Sequence, residues 1–270
     1  MISGLFKTAL GPLTGGLFGE FCAACGRKAL RKKYPAISDE LASAWELSPR
    51  WVQYFNDREG IRCRACRCSL RSQYMASVLV ETYSSRLGIS VTSFRSLCRI
   101  PTFRDLKIAE INACGGLHSF LKNFPKVSHS EYGSTDPRIP HEDLTRLSYA
   151  DNSFDLVLHS ETLEHVPDCM KALSELARIT RPTGLHIFTV PLVWERSQTR
   201  VRARLQGEQV EHLLSPSYHG PYGTTSSDRL VFSEFGRDFL DWVKASGFPH
   251  VTCHRNEKNP ALSTIVASKN

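Results

Sequence analysis

Residues 106–120, LKIAEINACGGLHSF, constrain this chain more than any other stretch. The apolar run 106–111 carries one carboxylate, Glu110. A small-residue turn follows, Asn112-Ala113-Cys114-Gly115-Gly116, and a helical pattern begins at Leu117. Strand, tight turn and helix in that order are how α/β proteins bring backbone N–H groups up to a nucleotide-like ligand. The segments after it continue as an alternation of strands and helices; those before it read as an added module.

The strand and helix spacing downstream is regular. Residues 107–111 form the first strand and 117–123 the first helix. A second strand over 127–131 ends in Glu131, 21 positions after Glu110. An acidic residue about 20 positions past such a turn is placed to accept ribose hydroxyls. The run 154–159 is strongly apolar, as in a strand buried on both faces. A helix over 169–179, a strand over 185–190, a helix over 235–246 stopped by Gly247, and two closing strands over 251–254 and 262–267 complete the domain.

The chain has 270 residues, enough for one large domain or two smaller ones. Its net charge of +7 is mild and carries no dense basic stripe, so nucleic acid is not indicated. No apolar run reaches the roughly 18 residues that span a bilayer. Residues 1–20 are small and apolar, lack the basic start of a secretion signal, and read as a leader or an interfacial segment. A reducing, cytoplasmic compartment is the expectation, and nine cysteines there suggest metal or free thiols.

Cys22-Ala-Ala-Cys25 and Cys63-Arg-Ala-Cys66 are two matched knuckles, and a two-residue gap lets both sulfurs of each reach one zinc ion. Gly26 and Arg67 follow them, as a tight turn requires, and Cys68 is a close bystander able to replace Cys66. Four thiolates make a closed, structural zinc site. The spacer between the knuckles is long enough to hold helices of its own, starting at Ser38 and Ser48-Pro49. Trp45, Trp51, Tyr54 and Phe55 would give it a small core. Residues 69–87 read as a helix ending at Gly88, and 89–103 as a strand or extended connector closed by Pro101.

The stretch Phe154-Asp155-Leu-Val-Leu-His159-Ser-Glu161-Thr-Leu163-Glu164-His165-Val-Pro167-Asp168 resembles the region after the fourth strand in class I S-adenosylmethionine-dependent methyltransferases of the type 11 group. Glu142-Asp143-Leu144 is similar to that family's adenine loop, and Arg178-Ile-Thr-Arg181-Pro182-Thr183-Gly184 to its R-x-L-R-P-G-G turn. The resemblance is good over residues 104–195. It implies a Rossmann-like α/β sheet of seven strands, mostly parallel with one antiparallel strand, and S-adenosylmethionine at the carboxyl ends of the strands. By position, Glu110 opens the glycine motif and Asn112, Cys114 and Gly116 fill its three glycine slots. Glu131 takes the ribose position, Asp143 and Leu144 the adenine edge, and residues His159 to Glu161 the methyl-donor pocket. Asn112 accepts a positive φ readily; the Cβ of Cys114 would stand where the cofactor approaches.

The implied organisation is a zinc-ribbon-like module over 1–70, a connector over 71–103, and a methyltransferase domain over 104–270 whose insertion 194–231 roofs the acceptor. His165 and His219 are the candidate bases, with Glu161 and Glu164 in supporting positions. Arg200, Arg202 and Arg204 would meet an acidic acceptor or lie on a solvated helix face. The expected reaction is methyl transfer to an oxygen or nitrogen of a small or medium acceptor such as a sugar, a glycosylated metabolite or a natural-product scaffold. An RNA or protein methyltransferase gripping its substrate with the zinc module is one rival; a degenerate, non-catalytic scaffold is the other. The oligomeric state is not legible.

Overall fold

The structure is a computed structural model that describes residues 20–28, 31–219 and 229–270. The leader, apart from Glu20, and the lid residues 220–228 lie outside the described residues. In chain order the elements are β1 (Arg31–Lys32), α1 (Asp39–Ala44), α2 (Pro49–Gly60), β2 (Arg62–Cys63), α3 (Leu70–Leu87), α4 (Phe94–Leu97), α5 (Pro101–Arg104), β3 (Ile108–Ile111), α6 (His118–Leu121), β4 (Val127–Ser130), β5 (Phe154–Ser160), α7 (Cys169–Ile179), β6 (Thr180–Thr189), β7 (Arg200–Val201), β8 (Ala203–Gln206), β9 (Gln209–His212), β10 (Ser233–Glu234), α8 (Phe239–Ala245), β11 (His250–Arg255) and β12 (Ser263–Ser268). Single 3₁₀ turns precede α6 (Gly115–Leu117) and follow β5 (Leu163–His165).

The central sheet runs β11-β12-β6-β5-β3-β4. The pairs β3–β4, β3–β5 and β5–β6 are parallel, and β12 is antiparallel to both its neighbours. One antiparallel strand agrees with the resemblance; six strands stand where seven were expected. Where a further strand would flank β4 there is only a single parallel bridge, Glu131 to His141. The Pro- and Gly-containing loop 133–140 cannot sustain a ladder at that edge.

β5 is buried on both faces, as its apolar run requires. On one face Leu156, Leu158 and Ile187 pack with Met75, Ala76, Leu79 and Tyr83 of α3. The cysteines of both knuckles belong to this same core. On the other face Val157 and Phe188 pack with Leu173 and Leu176 of α7 and Phe239 and Val243 of α8. A third cluster joins Trp45, Trp51 and Phe55 to Val193, Val231 and Ala261. It docks the helices of the knuckle spacer on the region after β6.

Three local readings are corrected. Residues 89–103 are not extended. Ser93 caps α4 through Ser96 N–H, and Pro101 sits in the first turn of α5. The segment Arg181-Pro182-Thr183-Gly184 is not a turn before a strand but lies inside β6, at a register shift against β5. Gly184 is required there because a Cβ would lie 2.8 Å from the Phe154 carbonyl oxygen. Arg200, Arg202 and Arg204 lie on or between strands, and their alternation is the period of two of extended chain. Arg200 pairs with Glu46 at 2.6 Å, Arg202 with buried Glu234, and Arg204 with Glu211, so none of them waits for an acidic acceptor.

His159 on β5 and His186 on β6 are fully buried, 4.9 Å apart between ring centroids, and stacked against Phe188. Neither ring has a hydrogen-bond partner among the described residues. Burial holds His159 down to about 3 and His186 well below its ordinary value. Both are neutral when folded, whereas an unfolded histidine protonates near 6.5. The unfolded chain therefore binds more protons below about pH 6.5, and stability falls as pH drops from there toward the folded values. Urea midpoints measured at pH 7 and pH 5 will differ, and His186→Phe will shrink that difference; an unchanged difference refutes the assignment.

Candidate active site

The turn after β3 is tied together by Glu110. Its fully buried carboxylate accepts Cys114 N–H at 3.0 Å and contacts His118 Nδ1 at 2.8 Å. That hydrogen bond raises the His118 pKa against the opposing effect of burial. The His129 ring lies 4.5 Å from the His118 ring, and its Nε2 is 3.2 Å from Glu131. Asn112 is left-handed, with φ 53°, and its Oδ1 accepts Tyr132 N–H. The backbone the sequence required at this position is thus present.

The remaining members of the turn are explained by packing. Cys114 is 1% exposed and points into the core beneath α3, so its Cβ does not reach over the turn. A Cβ on Gly116 would lie 2.5 Å from Cys68 Sγ and 3.0 Å from Cys68 Cα. One on Gly115, at φ 55°, would lie 2.9 Å from Ser72 Oγ. Both glycines therefore let the second knuckle and the start of α3 press onto the turn.

Glu131 ends the parallel register with a half-exposed carboxylate beside exposed Tyr132. Asp143 turns its carboxylate inward to Thr145 N–H at 2.8 Å and the Thr145 hydroxyl at 2.9 Å, while Leu144 is buried. This loop is clamped from below. Arg178 donates to the carbonyls of Leu147 and Tyr149, and Glu175 accepts Leu147 N–H.

A second site lies at the carboxyl ends of β5 and β6. Glu161 has φ 55° and receives Arg58 in a two-pronged pair, at 2.6 and 2.8 Å. Arg58 is 1% exposed, belongs to α2, and also donates to the Val190 carbonyl. Arg71 of α3 pairs with Glu59 at 2.7 Å and donates to the Ser160 hydroxyl. Burial opposes ionisation of Glu161, yet Arg58 and Arg71 hold its pKa down to about 2. The side chain of His159 turns instead into the core, so of residues 159–161 only Ser160 and Glu161 reach this site.

Above this pair is a cavity of about 830 Å³. Its walls are mostly the spacer between the knuckles: Ile37, Leu41, Trp45, Leu47 and Phe55. Glu161, His165 and His219 form its opposite, polar end. The two histidines nominated from the sequence, 54 positions apart, thus meet, with ring centroids 4.6 Å apart. His165 Nδ1 lies 3.0 Å from the Leu230 carbonyl oxygen and Trp45 meets His219 edge-on. Behind them Glu164 is fully buried, with neither carboxylate oxygen hydrogen-bonded among the described residues. Burial, then repulsion from Glu161, raises its pKa well above the carboxylate range. Burial and His165 hold His219 down to about 3.

The four knuckle cysteines converge, with all sulfurs within 4.8 Å of one another. Cys22 and Cys66 are 3.7 Å apart and Cys25 and Cys63 4.0 Å. A tetrahedral site with metal–sulfur bonds of about 2.3 Å has edges of about 3.8 Å. Gly26 and Arg67 are both left-handed, as the knuckle turns demand. Sequence reasoning nominated the knuckles, both histidines and Glu161, but missed Arg58 and Arg71. Their partners are distant in the chain, and no local pattern marks them.

Residues 119–188 match the family model Methyltransf_11, described as a methyltransferase domain. That bears out the family resemblance, and the fold is the Rossmann-like methyltransferase architecture. The ubiquinone/menaquinone biosynthesis C-methyltransferase UbiE of Bdellovibrio bacteriovorus is 55% identical over 60 residues, covering 22% of this chain and 26% of that protein. An uncharacterized methyltransferase of Mycobacterium sp. (strain JLS) is 44% identical over 107 residues, covering 38% and 42%. The matched chain spans well under half the length of these relatives. Among solved structures, the 1,6-didemethyltoxoflavin-N1-methyltransferase of Burkholderia thailandensis aligns over 90% of this chain and 94% of its own, at 13% identity and a TM-score of 0.42.

Removing one partner of a buried pair leaves an uncompensated charge. Arg58→Ala will lower unfolding free energy by about 3–5 kcal/mol in urea titrations. Arg58→Met combined with Glu161→Gln will recover most of that loss; a single-variant cost under about 1 kcal/mol would mean that the pair is solvated.

Proposed function

We propose that the chain transfers a methyl group from S-adenosylmethionine to an oxygen or nitrogen of a small or medium acceptor seated in the cavity between the knuckle spacer and the ends of β5 and β6. The observation that carries this reading is the cavity itself. Its volume lies within the 300–1,000 Å³ of small-molecule sites. It is apolar on one side, carries two histidines on the other, and adjoins the strand ends of a methyltransferase sheet.

The residues present fit the cofactor. The half-exposed Glu131 carboxylate would accept the ribose hydroxyls, the left-handed Asn112 turn would flank the sugar, and the clamped loop at Asp143 and Leu144 would edge the adenine. Arg71 and the Ser160 hydroxyl are the polar groups available to the methionine end. When bound, the cofactor supplies an activated sulfonium methyl. The protein's share is then mostly alignment, and alignment alone can contribute several kcal/mol. Ile37, Leu41, Trp45 and Phe55 would hold the acceptor and exclude water. His219, neutral over the physiological range, and His165 would take the proton that an oxygen or nitrogen acceptor must lose. The aromatic wall suits a planar or glycosylated acceptor. Because UbiE is named a C-methyltransferase, a carbon acceptor is the second class to screen.

Zinc in the four-cysteine cluster supports this reading structurally. The spacer that walls the cavity is closed at both ends by the knuckles, so the metal would set the position of α1 and α2.

Calorimetric titration with S-adenosylhomocysteine is expected to show one site, and no heat at millimolar ligand would reject the reading in favour of a non-catalytic scaffold. His165→Ala or His219→Ala will lower turnover roughly 10²–10⁴-fold with that binding retained; full activity in both would assign catalysis to alignment alone. Elemental analysis is expected to find zinc in the purified chain, with one equivalent lost in a Cys25→Ser, Cys63→Ser double variant.

A further inference from the structure

We propose that Glu164, His165 and His219 form a binding site for a divalent transition-metal ion at the polar end of the cavity, with an open coordination face turned toward the acceptor. The inference rests on the acceptor cavity assigned above and gives its polar end a definite occupant. A ligand atom from each residue lies within 4.8 Å of the others. The carboxylate oxygen is 3.8 Å from His165 Nε2 and 3.7 Å from His219 Nε2. These separations are too long for hydrogen bonds. They are close to the edge of a tetrahedron with metal bonds of 2.0–2.2 Å, about 3.4 Å.

The second observation is the carboxylate itself. Glu164 is 0% exposed, and neither oxygen has a hydrogen-bond partner among the described residues. A buried carboxyl left so is costly, and a cation is the partner that three convergent donors can hold. His165 is oriented for this role: its Nδ1–H donates to the Leu230 carbonyl at 3.0 Å, so Nε2 presents its lone pair to Glu164. A backbone carbonyl fixing the tautomer from behind is a common arrangement around metal-bound histidine. Trp45 steadies the His219 ring from the side.

Arg58 and Arg71 are engaged by Glu59 and Glu161, which leaves the Glu164 carboxylate, among the described residues, as the one free to meet a cation beside the two imidazoles; Arg62 and Arg67 also line the cavity. Two nitrogens and one oxygen prefer zinc, iron or manganese over the calcium-type ions that take oxygen alone. Both histidines border the cavity, and three protein ligands leave positions for one or two acceptor atoms. The acceptor class this selects offers a chelating oxygen pair, such as vicinal hydroxyls. The ion would lower the pKa of a bound hydroxyl so that its proton leaves to solvent, and with the ion bound the two histidines act as ligands in place of the base role given above.

Mn²⁺ is the probe, because thiolates bind it poorly and the zinc-loaded knuckles leave it for the second site. Titration of protein holding one equivalent of zinc per chain, which the four thiolates take first, followed by loss of the free Mn²⁺ paramagnetic signal, is expected to saturate at one equivalent. Glu164→Gln and His219→Ala should each weaken binding by more than about tenfold, at unchanged zinc content. Absence of Mn²⁺ binding in the parent protein, or equal binding in both variants, overturns the site. His219 lies on a loop, so its variant keeps the test informative should Glu164→Gln fail to fold. S-adenosylhomocysteine binding without Mn²⁺ binding rejects the metal site alone; the reverse outcome supports the metal site and rejects the methyltransferase reading.

Discussion

The cavity side of the molecule depends on one buried ion pair. Arg58 leaves α2 in the spacer between the knuckles, and Glu161 stands just past β5, 103 residues later. The pair is two-pronged and mostly buried, so its attraction is less screened than on the surface. Desolvating both groups is expensive, and burial of this kind is poor evidence for net stability. Its value lies in geometry. A planar guanidinium gripping a carboxylate with both nitrogens admits one orientation of α2 against the sheet. That orientation stands the apolar wall of the spacer over the strand ends.

The strained backbone at Glu161 belongs to the same arrangement. A non-glycine residue at φ 55° is uncommon and persists where its surroundings over-determine it. Arg58 and the Thr189 hydroxyl on the next strand hold the carboxylate in place. From there the chain turns sharply into Leu163–His165, which carries Glu164 inward and His165 toward the cavity. Arg58 thus acts on the histidines through backbone position.

What the sequence made legible follows from the range of the forces involved. The strands of the sheet were readable because β5 and β6 must be apolar on both faces, and a continuous run records that locally. The knuckles were readable because metal geometry demands a fixed spacing. Residues 89–103 misled because Ile89 and Val91 favour strands, while the deciding contacts are long-range: Phe94 and Arg95 donate their N–H groups to Ala23 and Ala24 of the first knuckle. Arg58, Arg71 and the cavity wall were missed for the same reason. Apart from the adjacent Glu59 on Arg58, their partners are 12 to 132 residues away, and no periodicity in either segment announces the pairing. His159 was misassigned because strand alternation sends its side chain into the core while its neighbours in sequence reach the site.

The glycine turn shows how one local pattern can serve two ends. Of its replacements, Asn112 suits the left-handed backbone, while the Cβ of Cys114 is the one expected to stand where a cofactor approaches. Cys114 turns inward and Asn112 takes the left-handed form, so neither obstructs the turn's free edge. Gly115 and Gly116 are needed on the opposite edge, where Cys68 and Ser72 leave no room for a Cβ. Cys68 is two residues past the last knuckle cysteine and Ser72 lies in the first turn of α3. The turn that would cradle a nucleotide is therefore also the surface on which the cysteine module rests. Movement of that module would reach the turn through Gly116 and the cavity through Arg58, which ties the geometry of the four knuckle cysteines to both regions at once.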